Sequence, residues 1–285
     1  MSNAKKIAIV TDCTSDLTEE LRERHNIISF PLYINLNGKT YSDGVDITPI
    51  EMYKIIDKCG ELPKTSNASP AVIEERFANI LKEYDQIVYL GIGSGLSATY
   101  NNARIAASNF PEDTVYVIDS ANLSTGIGLL VLKAAKFRDQ GFTAKEIASK
   151  VTELVPCVST QFVVNTLNYL HMGGRCNGTQ KLFANLLRMK PIIRVVDGAM
   201  MIAKKPLGFN KGLECLLEYI RRDVANVDPD YVFVTHAVAD ADAEYLIGQL
   251  KTFIKADHIV ETYASGVISS HCGPRTIGIL YIVNK

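Results

Sequence analysis

Short apolar segments alternate with capped helices through the first half of the chain, and this alternation restricts the fold more than any other feature. Strands are predicted at Lys6–Val10, Ile27–Leu36 and Gln86–Ile92. Helices are predicted to begin at Thr48-Pro49-Ile50-Glu51, a capping box, and at Ser69-Pro70. Buried strands that alternate with helices indicate a parallel sheet covered on both faces. The first half is therefore predicted to be an α/β/α domain.

The sequence pattern changes near Val155-Pro156, where a second domain is predicted to begin. In this half a helix is expected over Thr179–Met189, and Asp197-Gly198 has the composition of a hairpin turn. A hairpin within alternating strands and helices indicates a mixed sheet. Since 285 residues exceed the usual size of one domain, we predict an α/β fold with domains at residues 5–157 and 158–285.

The charge and cysteine patterns exclude several classes of function. Thirty Lys and Arg residues balance 31 Asp and Glu residues, which gives a net charge of -1. This balance provides no electrostatic attraction for nucleic acid or an anionic membrane surface, and no apolar run reaches the ~20 residues that span a bilayer. The six cysteines form no CxxC pair and the histidines show no metal-ligand spacing. We therefore expect a cytoplasmic protein with reduced thiols and no metal.

Polar turns follow the predicted strands of the first half, at Thr11–Asp16, Gly93–Ser97 and Asp119–Ser124. In parallel sheets, turns at the carboxyl ends of strands line the ligand crevice. The glycine-rich turn matches neither a phosphate-binding Walker loop nor a G-x-S-x-G elbow. A helix that begins at Leu96-Ser97 would direct backbone N–H groups at a carboxylate or phosphate, although Ser97 could also serve only as the cap of its own helix. Loop hydroxyls at Thr65 and Ser66 are further candidate ligand groups.

Two candidate residues in the second half allow different chemistries. His271 lies beside a Gly-Pro turn, where it could bind an anion, act as a base, or only form turn hydrogen bonds. Arg175 follows two glycines and suits a carboxylate, a phosphate or an acidic partner. The alternatives are a binding protein, a hydrolase or phosphotransferase that uses Ser97 or Cys13 with His271, and a regulatory interaction module without a pocket between its domains.

The ordered motifs of the chain resemble those of the DegV family of bacterial proteins. The resemblance covers nearly the whole chain and rests on seven segments: Thr11–Leu17, Asp43-Gly44, Lys64–Pro70, Gly95–Tyr100, Asp119-Ser120, Gly173–Arg175 and His271–Pro274. It implies two α/β domains with a long-chain fatty acid buried between them and no catalytic activity or cofactor. It also implies that the acid is presented to a separate fatty-acid kinase, which makes an acyl phosphate for phospholipid synthesis.

The resemblance also implies roles for individual residues. Thr65 and Ser97 correspond to direct hydroxyl partners of the fatty-acid carboxylate, and His271 corresponds to a nearby group that completes the network. Further candidates for support of the head group or for docking of the kinase are Ser66, Arg175 and Arg275.

The chain departs from the family pattern at three places. Ala98 replaces a usual glycine, and Asn67-Ala68 replaces a usual Gln-Pro pair in the segment that holds Thr65. Arg275 replaces a glycine, and we expect it to add bulk and charge near the carboxylate.

Overall fold

The secondary structure of residues 5–177 and 189–284 is described by a computed structural model. The strands are, in chain order, β1 Ile7–Asp12, β2 Ile27–Phe30, β3 Tyr33–Leu36, β4 Lys39–Ser42, β5 Lys64–Ser66, β6 Gln86–Gly91, β7 Val115–Asp119, β8 Val158–Val163, β9 Cys176–Asn177, β10 Ile192–Val196, β11 Ala199–Lys204, β12 Val227–Ala237, β13 His258–Tyr263 and β14 Thr276–Val283. The helices are α1 Glu19–Arg24, α2 Pro49–Cys59, α3 Pro70–Ile80, α4 Thr99–Ala107, α5 Thr125–Asp139, α6 Ala144–Leu154, α7 Asn168–Gly173, α8 Phe209–Asp223, α9 Asp240–Leu250 and α10 Gly266–Cys272.

The strands form a parallel sheet, a mixed sheet and a small antiparallel sheet. The parallel sheet has the order β2-β1-β6-β7, and the mixed sheet has the order β13-β12-β14-β8-β10-β11-β9. In the mixed sheet, β12 pairs with β13 in parallel but with β14 antiparallel. These sheets confirm the predicted α/β class with one parallel and one mixed sheet.

The prediction of one strand over Ile27–Leu36 was wrong. This segment forms β2 in the parallel sheet and β3 in the small sheet β4-β3-β5. Pro31 lies between the two strands and has no N–H with which to continue a ladder. The chain therefore leaves the first sheet at Phe30 and enters the second at Tyr33.

Local capping and turn chemistry agree with the sequence prediction at several element ends. Thr48 and Glu51 form the capping box of α2, and the Ser69 hydroxyl accepts a hydrogen bond at the start of α3. Asp197 and Gly198 have φ angles of 49° and 75° between β10 and β11. Two positive φ angles are the signature of the hairpin turn that these residues favour.

Helix α5 is buried between the two large sheets and contacts strands of both, including β1 and β14. One apolar core cluster consequently contains side chains from both halves, such as Ile9 and Phe233. All described strands of the parallel sheet precede residue 120 and all described strands of the mixed sheet follow residue 157, but the domain boundary at 157 stays a prediction. The helix predicted over Thr179–Met189 falls almost wholly on residues 178–188, which lie outside the described residues. Within the described ranges, no helix combines the length and apolarity needed to cross a membrane.

Candidate functional site

A cavity of about 270 Å³ lies between elements of the two halves. Its apolar wall contains Leu32, Leu96 and Leu123 from the first half, together with Met200 and Ile268 from the second. A set of polar residues lines the same cavity: Thr65, Ser66, Ser97, Arg175 and His271. An apolar cavity with a few convergent polar groups is the usual form of a small-molecule site.

The polar end of the cavity is organised by contact between Thr65 and His271. Thr65 lies in β5, where it pairs with Ile34 of β3, and its Oγ1 is 2.8 Å from His271 Nε2. His271 lies in the last turn of α10. The structure thus brings Thr65 and His271 into contact at this cavity, while their roles in binding a ligand stay a prediction.

Helix α10 is held in place by a buried carboxylate from the first half. The Asp43 side chain accepts hydrogen bonds from the backbone N–H groups of Gly266 and Val267, both at 2.8 Å. The Ser265 hydroxyl caps the same helix by accepting from the N–H of Ile268. The backbone groups that a short helix leaves unpaired at its start are therefore satisfied, which fixes the helix that carries His271.

Helix α10 was not predicted from the sequence, in which His271 was placed only beside a turn. The helix is short and its sequence, GVISSHC, contains glycine, serine and β-branched residues, which have low helix propensity. The usable signals were Ser265 as a capping residue and the Asp43-Gly44 motif, whose aspartate turns out to cap this helix. Tertiary contacts, rather than local propensity, explain why these residues form a helix.

The imidazole of His271 is neutral near pH 7. Burial and the nearby Arg175 guanidinium lower the pKa of His271 to about 4. Among the described residues, Nδ1 of this ring is buried without a hydrogen-bond partner, and a Cβ atom at Gly173 would collide with it. A buried N–H without an acceptor is rarer in proteins than a buried acceptor without a donor. We therefore assign the proton to Nε2, which donates to Thr65 and leaves the Thr65 hydrogen free.

Ser97 lies just before a helix rather than inside one. The N–H groups of Leu96 and Ser97 both donate to the Gly93 carbonyl, so the chain is still in a turn there and α4 begins at Thr99. The prediction that the helix begins at Leu96-Ser97 was therefore wrong by two residues. The Ser97 hydroxyl accepts from the N–H of Thr99 at 3.2 Å and lies 2.9 Å from the Thr99 hydroxyl. When Thr99 donates in this pair, the Ser97 O–H is available to the cavity.

Arg275 does not lie where the sequence analysis expected it. In the described part of the chain its guanidinium pairs with Asp242 at 2.9 Å and lies over the Phe209 ring at 4.3 Å. It is not among the residues that line the cavity. Arg275 has a positive φ of 57°, and the resulting turn directs its side chain to α9. The expectation that Arg275 adds bulk and charge near the carboxylate was therefore wrong, because its side chain lies against Asp242 and Phe209 instead.

The geometry does not pair either candidate nucleophile with His271. Cys13 lines a different pocket, its Sγ accepts the N–H of Leu32 at 3.3 Å, and burial raises the pKa of its thiol well above the usual range. The hydrogen bonds of Ser97 described above are made with Thr99, and that of His271 is made with Thr65. A hydrolase that uses Ser97 or Cys13 with His271 is not supported by these contacts. The cavity likewise contradicts the alternative of a module without a pocket.

A separate group, His236, Asp240 and Glu261, brings three potential metal ligands within reach of one another. Nδ1 of His236 accepts the N–H of Ala239 at 3.0 Å, so the proton of the neutral ring lies on Nε2, toward Glu261. Neither ring nitrogen therefore offers a free lone pair to an ion.

Comparison with known proteins gives similarity over nearly the whole chain. The model of the DegV family of uncharacterised proteins matches residues 6–284. A DegV domain-containing protein of Caldanaerobacter subterraneus subsp. tengcongensis is 33% identical over 277 residues, which is 97% of this chain and 99% of the relative.

Two solved structures have the same fold. A DegV family protein from Thermus thermophilus, described by its fatty-acid binding, has a TM-score of 0.91 at 30% identity and covers 98% of this chain and 99% of its own. A stearic-acid-binding protein from Eubacterium ventriosum has a TM-score of 0.86 at 26% identity and covers 98% of both chains.

Proposed function

The chain belongs to the DegV family, and from this membership we propose that it binds a long-chain fatty acid whose carboxylate is held by Thr65 and Ser97, with His271 nearby. The binding described for the Thermus thermophilus and Eubacterium ventriosum relatives supports this ligand class. The observation that carries the proposal is the Thr65–His271 contact at the polar end of an otherwise apolar cavity. The cavity lies between the two domains that we assign to residues 5–157 and 158–285.

The polar end offers hydrogen-bond donors in the number that a carboxylate requires. An ionised carboxylate removed from water must regain several donors, and hydrogen bonds to a charged acceptor are stronger than neutral ones. The Thr65 hydroxyl accepts from His271 Nε2, which leaves its own hydrogen free to donate to the acid. The Ser97 hydroxyl accepts from Thr99 and can donate to the acid in the same way. Arg175, which lines the cavity, supplies positive charge, and Ser66 lies beside Thr65.

We expect the acyl chain to bind against the apolar wall of the cavity. Each methylene that leaves water contributes about 0.8 kcal/mol to binding, so a long chain supplies most of the affinity. The hydroxyls then determine which end of the ligand lies at Thr65. This division matches a cavity whose wall residues, such as Leu32, Leu96 and Leu123, are apolar.

We further propose that the bound acid is presented to a fatty-acid kinase that forms an acyl phosphate for phospholipid synthesis, as the family resemblance implies. The carboxylate end adjoins a second pocket of about 300 Å³, which shares Thr65, Arg175 and His271 with the first and also includes Lys64. Arg175 is exposed there. A partner that approaches this side would meet the carboxylate first, and the protein itself would act as a carrier without a catalytic step.

Extraction of the purified protein tests the ligand class. Organic-solvent extraction followed by mass spectrometry should give about one long-chain fatty acid per protein chain. The delipidated protein should bind added palmitic acid with the same stoichiometry. An extract without acid, together with no binding of added acid, would show that the proposal is wrong.

A further inference from the structure

A much smaller cavity continues the main one toward the mixed sheet. It has a volume of about 20 Å³ and shares Leu123, Ile268 and Cys272 with the main cavity. Its far wall is formed by strands of the mixed sheet and includes Phe162 of β8 and Leu280 of β14. We call this space the terminal pocket.

The polar side chains around the terminal pocket are already hydrogen-bonded within the protein. The Thr235 hydroxyl lies 2.6 Å from that of Thr125, and the Ser124 hydroxyl donates to Asp16 at 2.6 Å. The Thr276 hydroxyl donates to the carbonyl of Cys272. The ring of His236 is occupied at both nitrogens, as described above. These polar groups have no hydrogen bond left to offer a ligand, so the pocket favours an apolar group over a carboxylate.

Gly278 lines the terminal pocket, and its lack of a side chain allows Phe162 and Leu280 to pack closely around it. Gly278 pairs with Phe162 across β14 and β8, and an added Cβ would lie 2.9 Å from Cβ of Phe162 and 3.4 Å from Cδ1 of Leu280. Phe162 and Leu280 are only 4% and 2% exposed, so they form a closed end. A volume of this size holds roughly one water-sized group, which corresponds to a single chain-terminal methyl.

We propose that the terminal pocket receives the methyl end of the acyl chain and that Phe162 and Leu280 select straight-chain acids against acids with a branched terminus. This proposal rests on the proposed fatty-acid binding. The carboxylate at Thr65 and the methyl end at Phe162 give the ligand one orientation. A second methyl group at the terminus meets the Phe162 ring or the Leu280 side chain.

The test compares palmitic acid with its isomer that has a methyl branch next to the chain end. The two acids have the same carbon number and the same head group, so only the shape of the terminus differs. Delipidated protein should bind palmitic acid at least about tenfold more tightly, the discrimination that one misplaced methylene produces in a hydrophobic pocket. Phe162→Leu should reduce this ratio to about threefold or less.

Phe233→Leu is the matched control, since Phe233 is buried in the same sheet but does not line the terminal pocket. It should keep the ratio of the unaltered protein. Leu280→Val provides a second enlargement if Phe162→Leu does not fold, with folding monitored by circular dichroism.

Equal binding of the two acids by the unaltered protein would overturn the selection and leave the proposed function standing. An unchanged ratio in folded Phe162→Leu or Leu280→Val would place the chain terminus elsewhere and also overturn it. Failure of the unaltered protein to bind either acid would show instead that the proposed function is wrong.

Discussion

The hydroxyl oxygen of Thr65 lies 2.8 Å from Nε2 of His271, although 206 positions separate the two residues in sequence. One is in a three-residue strand of the small sheet, and the other is in a helix that an aspartate of the first half holds in place. Because the imidazole occupies one side of the hydroxyl, the Thr65 hydrogen is directed to another acceptor. The contact with His271 therefore leaves the Thr65 O–H group free to donate a hydrogen bond to a ligand.

Removal of the two hydroxyls should weaken fatty-acid binding. Thr65→Val with Ser97→Ala is expected to cost about 3–6 kcal/mol of binding free energy, since each of the two lost hydrogen bonds to a charged group is worth about 1.5–3 kcal/mol. Titration calorimetry with palmitic acid measures the loss. Thr252→Val, which removes an exposed hydroxyl bonded to the Gln249 carbonyl, is the control and should bind normally. Unchanged affinity in the double variant would place the carboxylate elsewhere.

Gly173→Ala should disturb the site through His271. The new Cβ atom would collide with Nδ1 of the buried ring, so the imidazole or helix α7 must shift, and we expect the contact with Thr65 to be disturbed. Acid affinity should fall about as far as it does in His271→Ala. Gly248→Ala, at a position with open space around it, is the matched control. If Gly173→Ala binds like Gly248→Ala, the position of the imidazole does not matter for the ligand.

The pKa of His271 predicts a dependence of stability on pH. Its folded value of about 4 lies below the ordinary value of 6.5, so the unfolded chain takes up a proton that the folded chain excludes. Uptake of this proton favours the unfolded chain. The free energy of unfolding therefore falls by up to about 3 kcal/mol as the pH drops from about 6.5 to about 4, and this loss is absent above pH 6.5. Urea unfolding at several pH values should show this loss in the ligand-free protein and a smaller one in His271→Gln. Parallel pH profiles for the two proteins would contradict the depressed pKa.

Asp43→Asn should destabilise the protein because α10 depends on this carboxylate. The amide can accept only one of the two backbone hydrogen bonds from Gly266 and Val267, and a buried donor left unpaired costs about 1–3 kcal/mol. Asp46→Asn, at an exposed aspartate that accepts one backbone bond, should cost less. Chemical denaturation compares them. Equal stability of the two variants would mean that Asp43 does not hold the helix.

The sequence predicted the parts of the fold that local chemistry determines. Capping boxes, the Asp197-Gly198 turn and the alternation of strands with helices depend on neighbours in sequence. The separation of β2 from β3 at Pro31 and the start of α4 at Thr99 depend on which sheet or turn the chain joins, and these predictions were wrong. Helix α10 was missed because its stability comes largely from Asp43, which is distant in sequence.

The candidate site could be predicted only in part. Thr65, Ser97, Arg175 and His271 line one cavity, and their selection rested on motif resemblance because residue spacing alone cannot bring position 65 to position 271. Arg275 was placed wrongly because the direction of its side chain follows from a positive φ and from Asp242. The terminal pocket was invisible in sequence, where Phe162 and Leu280 are indistinguishable from ordinary core residues.

A crystal structure of the protein with palmitic acid would test the position of the carboxylate most directly. The proposal predicts a carboxylate oxygen within about 2.5–3.0 Å of Thr65 Oγ1 and another at the same distance from Ser97 Oγ. The acyl chain should extend past Leu123 and Ile268 toward Phe162. A carboxylate bound away from both hydroxyls, or a chain with its methyl end at Thr65, would contradict it.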